Sequence, residues 1–243
     1  MSTVSDNKAE DIRRMFSTIA RRYDVTNTVL SAGIHHLWKH ALVKDVQPGS
    51  TLLDLCTGTG DVLEIALKQG VTAVGLDFCY EMLSVASARL KTKIVPEDAV
   101  DASRPYAAKL VHGDATKLPF SENTFDYITV AFGVRNIPNL DQALNEMYRV
   151  LKPGGRLRIL EFGQMRVPVV GTLYNAYSKY LMPYIGLLLT GNKDAYQYLP
   201  ETAAHFPCRD RFLKLLAEHK FRNGSYKTRS AGIAYQYTAF KVN

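Results

Sequence analysis

Between residues 51 and 162, short apolar runs alternate with segments of helical periodicity. The runs predict strands at 51–55, 71–76, 110–112, 124–131 and 156–162, and the segments between them predict helices at 61–69, 80–90 and 140–151. Such alternation favours a parallel sheet with crossover helices. After a helix at 211–219, strands at 225–229 and 233–242 close the sheet as an antiparallel pair. We therefore expect an α/β fold, Rossmann-like and doubly wound, with a mostly parallel seven-stranded sheet and an antiparallel last strand.

Two segments lie outside this alternation. Residues 1–47 predict an N-terminal helical arm, with helices at 8–23 and 35–46, and residues 163–209 predict a helical, apolar insert rich in tyrosine, leucine, methionine and proline. We divide the chain into this arm, a cofactor-binding α/β core at 48–162, the insert on the substrate side, and a C-terminal helix with closing strands of the same domain at 210–243. The polar stretch 91–109 is expected to be a surface loop.

The stretch LLDLCTGTGD joins the first predicted strand to the first helix through Gly58 and Gly60. Glycines let the backbone take positive φ and approach a ligand, and ligands of doubly wound sheets bind where such a turn follows a strand. A phosphate-binding P-loop requires lysine after its last glycine, so Asp61 after Gly60 excludes it. A dinucleotide-binding motif requires a third glycine three residues after Gly60, where this chain has Leu63. A nucleoside ligand with little phosphate, such as S-adenosylmethionine, fits better, and Asp54 and Asp61 suit its cationic groups.

Two further strand ends carry acidic residues. Asp77 ends the second strand, where a carboxylate accepts hydrogen bonds from ribose hydroxyls. A helix-capping role for Asp77 is compatible with this one. Asp114 and Ala115 end the third strand, where the adenine edge of such a ligand would lie.

Four stretches, TLLDLCTGTGD, VGLDFCYEML, GDATKLPFSENTFDYITVAFGVRNI and MYRVLKPGGRLRILEFG, occur in an order and spacing that resemble class I S-adenosylmethionine-dependent methyltransferases. AFGVRNIPN at 131–139, the arm sequence at 19–40 and the aromatic insert resemble more narrowly the C-methyltransferases of ubiquinone and menaquinone biosynthesis. The chain departs from these families at Cys56, where glycine is common, and at Ala131, where serine is common.

The resemblance implies S-adenosyl-L-methionine-dependent methylation of a ring carbon on a polyprenylated demethylquinol, with no metal. Demethylmenaquinol is the favoured acceptor; the benzoquinol of ubiquinone biosynthesis, another small lipophilic acceptor, and a non-catalytic cofactor-binding scaffold are alternatives. It also implies three catalytic residues: Arg135 and Asn136 stabilise the phenolate, and Tyr23 closes over the site. The cofactor-binding residues that we predict are Asp54, Gly58, Thr59, Gly60, Asp77, Asp114 and Ala115. Other roles stay open for four residues. Tyr23 is alternatively a packed tyrosine and Arg135 a salt-bridged arginine, and His35 and His36 have base or capping roles as alternatives.

The composition limits the classes of partner that the protein can bind. The formal net charge is +7, which fits a basic soluble surface or an anionic membrane better than nucleic acid, since no run of five Lys or Arg occurs. Three scattered cysteines suit neither a disulfide framework nor a zinc site. Residues 167–190 are apolar but broken by prolines and glycines, which favours a prenyl groove or helical core over a membrane span. We expect a cytoplasmic protein, peripheral at the membrane face through its basic residues 203–243, and a homodimer.

Overall fold

The computed structural model describes residues 4–103, 109–165 and 167–242. Within these ranges, the strands form a single sheet in the order β3-β4-β2-β1-β5-β6-β8-β7. The strands are β1 (Thr51–Leu55), β2 (Thr72–Asp77), β3 (Ile94–Pro96), β4 (Leu110–His112), β5 (Phe125–Ala131), β6 (Leu151–Phe162), β7 (Arg222–Arg229) and β8 (Ala234–Phe240). Strands β1 to β6 are parallel, whereas β8 runs antiparallel to both β6 and β7. The predicted fold class is confirmed.

Ten α-helices surround this sheet in the described ranges. The arm contains α1 (Val4–Ile19), α2 (Tyr23–Leu30) and α3 (Ile34–Val43), and the core contains α4 (Asp61–Lys68), α5 (Tyr80–Leu90) and α6 (Leu140–Val150). The insert contains α7 (Pro168–Ala176), a π-helical turn (Tyr177–Leu181), α8 (Met182–Thr190) and α9 (Asp194–His205), and α10 (Asp210–Glu218) follows. The proposed segment boundaries fall between these elements.

The sheet differs from the prediction in its number of strands. Residues 94–96, which we expected in a surface loop, form the edge strand β3 and pair in parallel with β4. The sheet therefore has eight strands in the described residues rather than seven. A strand of three residues is too short to show an alternation of apolar and polar residues. This strand therefore forms because the edge of β4 is available for pairing, and its own sequence does not predict it.

Both faces of the sheet are buried, as a doubly wound fold requires. Successive residues of β1 point to opposite faces: Leu53 and Leu55 belong to one apolar cluster, and Leu52 belongs to another. A third cluster joins the arm to the insert and includes Ile19 and Tyr196. At Gly186 in α8, an added Cβ would lie 2.1 Å from the Tyr196 ring, so the missing side chain is what lets α8 and α9 pack closely.

The arm and the insert together cover the carboxyl ends of the central strands. Helix α1 packs against α5 and α9, and α2 packs against α8. A π-helical turn interrupts the α-helical geometry of the insert between α7 and α8, and Pro183 lies in the first turn of α8. Within the described residues, no helix combines the length and the apolar character needed to cross a membrane.

Candidate active site

A cavity of about 460 Å³ lies at the carboxyl ends of the central parallel strands. Four of the seven predicted cofactor residues line it, namely Gly58, Asp77, Asp114 and Ala115. Two of the three predicted catalytic residues, Tyr23 and Asn136, line it as well. The structure therefore brings together residues that are far apart in the sequence, at the place where doubly wound folds bind ligands.

Asp77 holds the glycine loop against the end of β2. Its two carboxylate oxygens accept hydrogen bonds from the backbone N–H groups of Gly58, at 2.8 Å, and Cys79, at 2.9 Å. Burial raises the pKa of Asp77, and these N–H groups oppose that rise by favouring the ionised form. A carboxylate offers about four acceptor positions, so Asp77 retains the capacity to accept a ribose hydroxyl beside Gly58.

Cys56, which departs from the glycine of the families that the sequence resembles, takes a left-handed backbone conformation with φ of 53°. Gly133 makes room for it, because a Cβ on Gly133 would lie 2.3 Å from the Cys56 Cβ. Phe132 also has positive φ, at 59°. Non-glycine residues in this conformation are strained and concentrate at functional sites. Both residues line the cavity.

Asp114 and Ala115 form the turn after β4. The Asp114 backbone N–H donates to Glu97 Oε2 at 3.1 Å, and its Oδ1 accepts from the Thr116 N–H at 2.8 Å. Asp114 is exposed and Ala115 is buried. Glu97, which follows the unpredicted strand β3, thus helps to fix the far end of the cavity.

The remaining three predicted cofactor residues, Asp54, Thr59 and Gly60, do not line the cavity. The buried Asp54 carboxylate accepts from Thr57 Oγ1 at 2.6 Å and from Thr129 Oγ1 at 2.7 Å, so it ties β1 to the loop and to β5. Burial raises its pKa to about 6. Gly60, with φ of 82°, begins α4 close to Ala86 of α5. These contacts suit residues that shape the loop from beneath.

Thr59 and Asp61 connect the loop to the arm. Thr59 Oγ1 donates to Asp24 Oδ1 at 2.6 Å. Asp61 accepts from Lys39 Nζ at 2.7 Å and forms an ion pair with the Arg89 guanidinium, which also pairs with Asp24. The charge of Asp61, which we interpreted as suited to a cationic ligand, is therefore directed to these two side chains.

His35, His36 and Asp61 place metal-type ligand atoms within 4.8 Å of one another, a grouping that the sequence spacing did not reveal. Both Asp61 oxygens already face cations, Lys39 and Arg89. Their charges oppose the entry of a further cation.

A second cavity, of about 640 Å³, lies between the arm and the insert. Its walls come from α2 and α3, from the ends of β5 and β6, and from the π-helical turn and α9. They are largely apolar and include Trp38, Phe162 and Tyr174. Tyr23 and Phe132 line both cavities, so the two spaces adjoin at these side chains.

Arg135 and Asn136 face different cavities. Arg135 lines the second one, with its side chain 2% exposed and ion-paired to Glu161, which is 1% exposed. It also donates to the Phe132 carbonyl at 2.8 Å and to Thr202 Oγ1 at 3.2 Å. Asn136 lines the first cavity and accepts from the Tyr198 hydroxyl at 3.1 Å.

Sequence reasoning missed Glu161 and Phe132. Burial raises the pKa of Glu161, while the Arg135 charge favours its ionised form. Burial also raises the pKa of Tyr23, and Arg135 again opposes the rise. The signals were present as the acid of LEF and the phenylalanine of AFGVRN, but their partners are distant in the sequence.

Comparisons with known proteins agree with this geometry. The model of the family described as "ubiE/COQ5 methyltransferase family" matches residues 1–241. The chain is 45% identical to the ubiquinone/menaquinone biosynthesis C-methyltransferase UbiE of Bdellovibrio bacteriovorus, across 98% of each chain. It is 37% identical to the demethylmenaquinone methyltransferase of Staphylococcus aureus, across 98% of this chain and 97% of the relative.

Solved structures show the same fold at low identity. A SAM-dependent methyltransferase from Thermotoga maritima superposes with a TM-score of 0.61 at 16% identity, covering 94% of this chain and 99% of the other. Phosphoethanolamine N-methyltransferase 2 of Haemonchus contortus, in complex with S-adenosyl-L-methionine, gives 0.58 at 16% identity, covering 87% and 57%. The fold is that of the class I methyltransferases.

Proposed function

The chain belongs to the ubiE/COQ5 methyltransferase family, and on that premise we propose that it transfers the methyl group of S-adenosylmethionine to a ring carbon of a polyprenylated demethylquinol in quinone biosynthesis. The acceptor that we favour is demethylmenaquinol, in line with the name of the Staphylococcus aureus relative. The benzoquinol of ubiquinone biosynthesis is the second candidate, because the name of the Bdellovibrio bacteriovorus relative covers both pathways.

The junction between the two cavities carries this proposal. When bound in the first cavity, S-adenosylmethionine supplies an electrophilic methyl group, and Asp77 and Gly58 suit its nucleoside. The second cavity has the apolar walls that an aromatic ring and a prenyl chain require. Both cavities are lined by Tyr23 and Phe132. A methyl donor in the first cavity and a ring in the second would therefore lie next to each other beside these side chains.

Methylation of a ring carbon requires an electron-rich ring, so the neighbouring hydroxyl must approach the phenolate state, with its proton passing to water. The ring proton that the methyl group replaces then leaves to solvent, which restores aromaticity. A guanidinium carries hydrogen-bond donors and no acceptor, so Arg135 suits the stabilisation of negative charge rather than the removal of a proton. We assign it instead to electrostatic stabilisation of the phenolate, with Glu161 and Thr202 fixing its orientation. We assign Tyr23, which lines both cavities, to the boundary between the donor and the ring, and Asn136, which lines only the first, to the donor side.

The apolar surface beside the second cavity suits the membrane from which a prenylated substrate comes. Helices α2 and α8 pack together and leave Val25, Val29 and Leu188 exposed, Leu188 at 82%, and Val29 also lines the second cavity. Lys193 Nζ lies 4.4 Å from the centroid of the exposed Tyr184 ring. Aromatic and basic side chains around an apolar face are typical of proteins that lie on an anionic bilayer. We place the proposed membrane contact at this face rather than in the basic residues 203–243.

The proposed reaction is tested with purified protein, S-adenosylmethionine carrying a deuterated methyl group, and a 2-prenyl-1,4-naphthoquinol or the corresponding benzoquinol kept reduced by dithionite. We expect the label on a ring carbon of the naphthoquinol, identified by mass spectrometry and NMR. Label on an oxygen, or no product from either quinol, would contradict the proposal. Faster methylation of the benzoquinol would select the second candidate.

The membrane face is tested by co-sedimentation with vesicles of anionic and of zwitterionic lipid. Leu188→Glu should weaken binding to both, because it places a charge in the apolar surface. Val242→Glu is the matched control, since Val242 is exposed near Lys241, whose N–H pairs with Gly155 at the amino half of β6. Equal loss in the two variants would remove the assignment of this face.

A further inference from the structure

His35 lies on the wall of the second cavity, outside the residues assigned above to the reaction. It is the second residue of α3 and is 4% exposed. Its Nε2 has no hydrogen-bond partner among the described residues. A buried polar atom left unpaired costs about 1–3 kcal/mol. Neighbouring atoms cover Nε2, so a ligand hydroxyl reaches it only when this wall of the cavity shifts, and the hydrogen bond then recovers that cost.

The hydrogen bonds around His35 define which of its nitrogens carries the proton. Ser31 Oγ donates its only hydrogen to the Asn27 carbonyl at 2.7 Å. The same oxygen lies 2.6 Å from His35 Nδ1, so it must accept there, and Nδ1 carries the hydrogen. Nε2 of the neutral ring is then a bare acceptor.

The ring is neutral at physiological pH. Burial, followed by the charge of Lys39, lowers the pKa of His35 to about 3, although Asp24 acts in the opposite direction. The exposed neighbour His36 contributes in the same direction as Lys39. An unprotonated Nε2 can accept a hydrogen bond but cannot donate one.

We propose that His35 Nε2 accepts a hydrogen bond from a ring hydroxyl of the acceptor and thereby selects the reduced quinol over the quinone. A quinol oxygen carries the hydrogen that Nε2 needs. A quinone oxygen carries no hydrogen. It would place its lone pairs against the lone pair of Nε2, and no hydrogen bond could form between these two acceptors. This inference rests on the proposed function and adds a specificity-determining residue to it, since only the reduced ring is electron-rich enough to be methylated.

Trp38, the only tryptophan of the chain, lines the same cavity and reports binding without turnover. Its fluorescence is titrated with a 2-prenyl-1,4-naphthoquinol under dithionite, and with the quinone of the same compound, in the presence of S-adenosylhomocysteine. For the wild type, we expect the Kd of the quinone to exceed that of the quinol by about tenfold or more.

His35→Leu should raise the Kd of the quinol about tenfold and leave that of the quinone unchanged, so that the ratio approaches one. His35→Gln offers both a donor and an acceptor and should also lose the discrimination, which keeps the test available if the leucine variant does not fold. His40→Leu is the matched control, because His40 lies in the same helix, is exposed and does not line the cavity.

A wild-type ratio near one, or an unchanged ratio in both His35 variants, would overturn the inference. Its failure differs from failure of the proposed function, which is read from methyl transfer by the wild type. Selective quinol binding without methylation would contradict the reaction and leave the role of His35 supported.

Discussion

The two cavities adjoin, yet they are built in different ways. The first is formed by strand ends and short turns, and its central contacts are the hydrogen bonds that backbone N–H groups donate to Asp77. The second is formed by side chains from the arm, two strand ends and the insert, and its central charged contact is the ion pair of Arg135 and Glu161. Backbone geometry suits a donor shared by a large class of enzymes. Side chains from the arm and the insert, which lie outside the alternating α/β core, suit an acceptor that distinguishes one family from another.

The difference also has an energetic side. The first cavity rests on a sheet whose strands are buried on both faces, so its geometry follows from the fold. The second depends on packing between segments that could separate locally, and on a buried charge pair that is costly when broken. Substitutions should therefore separate the cavities by their effects on stability and on the two substrates.

The largest effect is expected at Arg135. Arg135→Ala leaves Glu161 as a buried, unpaired carboxylate, which should lower the free energy of unfolding by about 3–5 kcal/mol and abolish turnover. The double variant Arg135→Met with Glu161→Gln removes both charges, so most of the stability should return while turnover stays lost. Urea unfolding and a methyl-transfer assay check both statements. Recovery of turnover in the double variant would show that the guanidinium serves the fold alone.

The first cavity should show its own pH dependence through Asp54. Its pKa is raised to about 6 in the folded protein, whereas the unfolded carboxyl titrates near 3.8. The folded state therefore keeps a proton that the unfolded state releases. The resulting stability is present below about pH 4 and is lost as the pH rises through about 6, by roughly 3 kcal/mol.

Asp54→Asn does not titrate and isolates this contribution. Urea unfolding of the wild type and the variant from about pH 4 to pH 7 should show the wild type losing roughly 3 kcal/mol relative to the variant. A constant difference across this range would contradict the assignment. Unchanged affinity of the variant for S-adenosylhomocysteine would identify Asp54 as a support of the loop rather than a ligand-binding residue.

The sequence predicted one cavity better than the other for a physical reason. Gly58, Asp77 and Asp114 each follow a predicted strand, so a parallel sheet must bring them to one edge. The pairing of Arg135 with Glu161 depends on how β5 and β6 end relative to each other, which no local pattern contains. The same holds for Asp61, whose cationic partners lie in the arm and in α5.

Gly133 constrains the first cavity sterically. Its φ of −108° is open to any residue, but a Cβ there would lie 2.3 Å from the Cys56 Cβ. Gly133→Ala should therefore cost about 1–3 kcal/mol and weaken S-adenosylhomocysteine binding by shifting the glycine loop. Adding Cys56→Gly removes the clash and suits the positive φ at that position, so both quantities should recover. Calorimetric titration and unfolding measure them, and a double variant no better than the single one would refute the steric explanation.

Thr59 should show the smallest effect and the clearest coupling. Thr59→Val removes the hydrogen bond to Asp24, which joins the glycine loop to the arm residue next to Tyr23, at a cost of about 1.5 kcal/mol. Because Thr59 lies in the glycine loop, whose Gly58 lines the first cavity, and Asp24 adjoins Tyr23, which lines both cavities, we expect KM for both substrates to rise by up to about tenfold. Thr51→Val is the matched control: its hydroxyl also donates to a carboxylate, that of Asp126 at 2.7 Å, but at the amino end of β1. Thr51→Val should lose similar stability and keep both KM values. If Thr59→Val changed the KM of only one substrate, the two cavities would act independently.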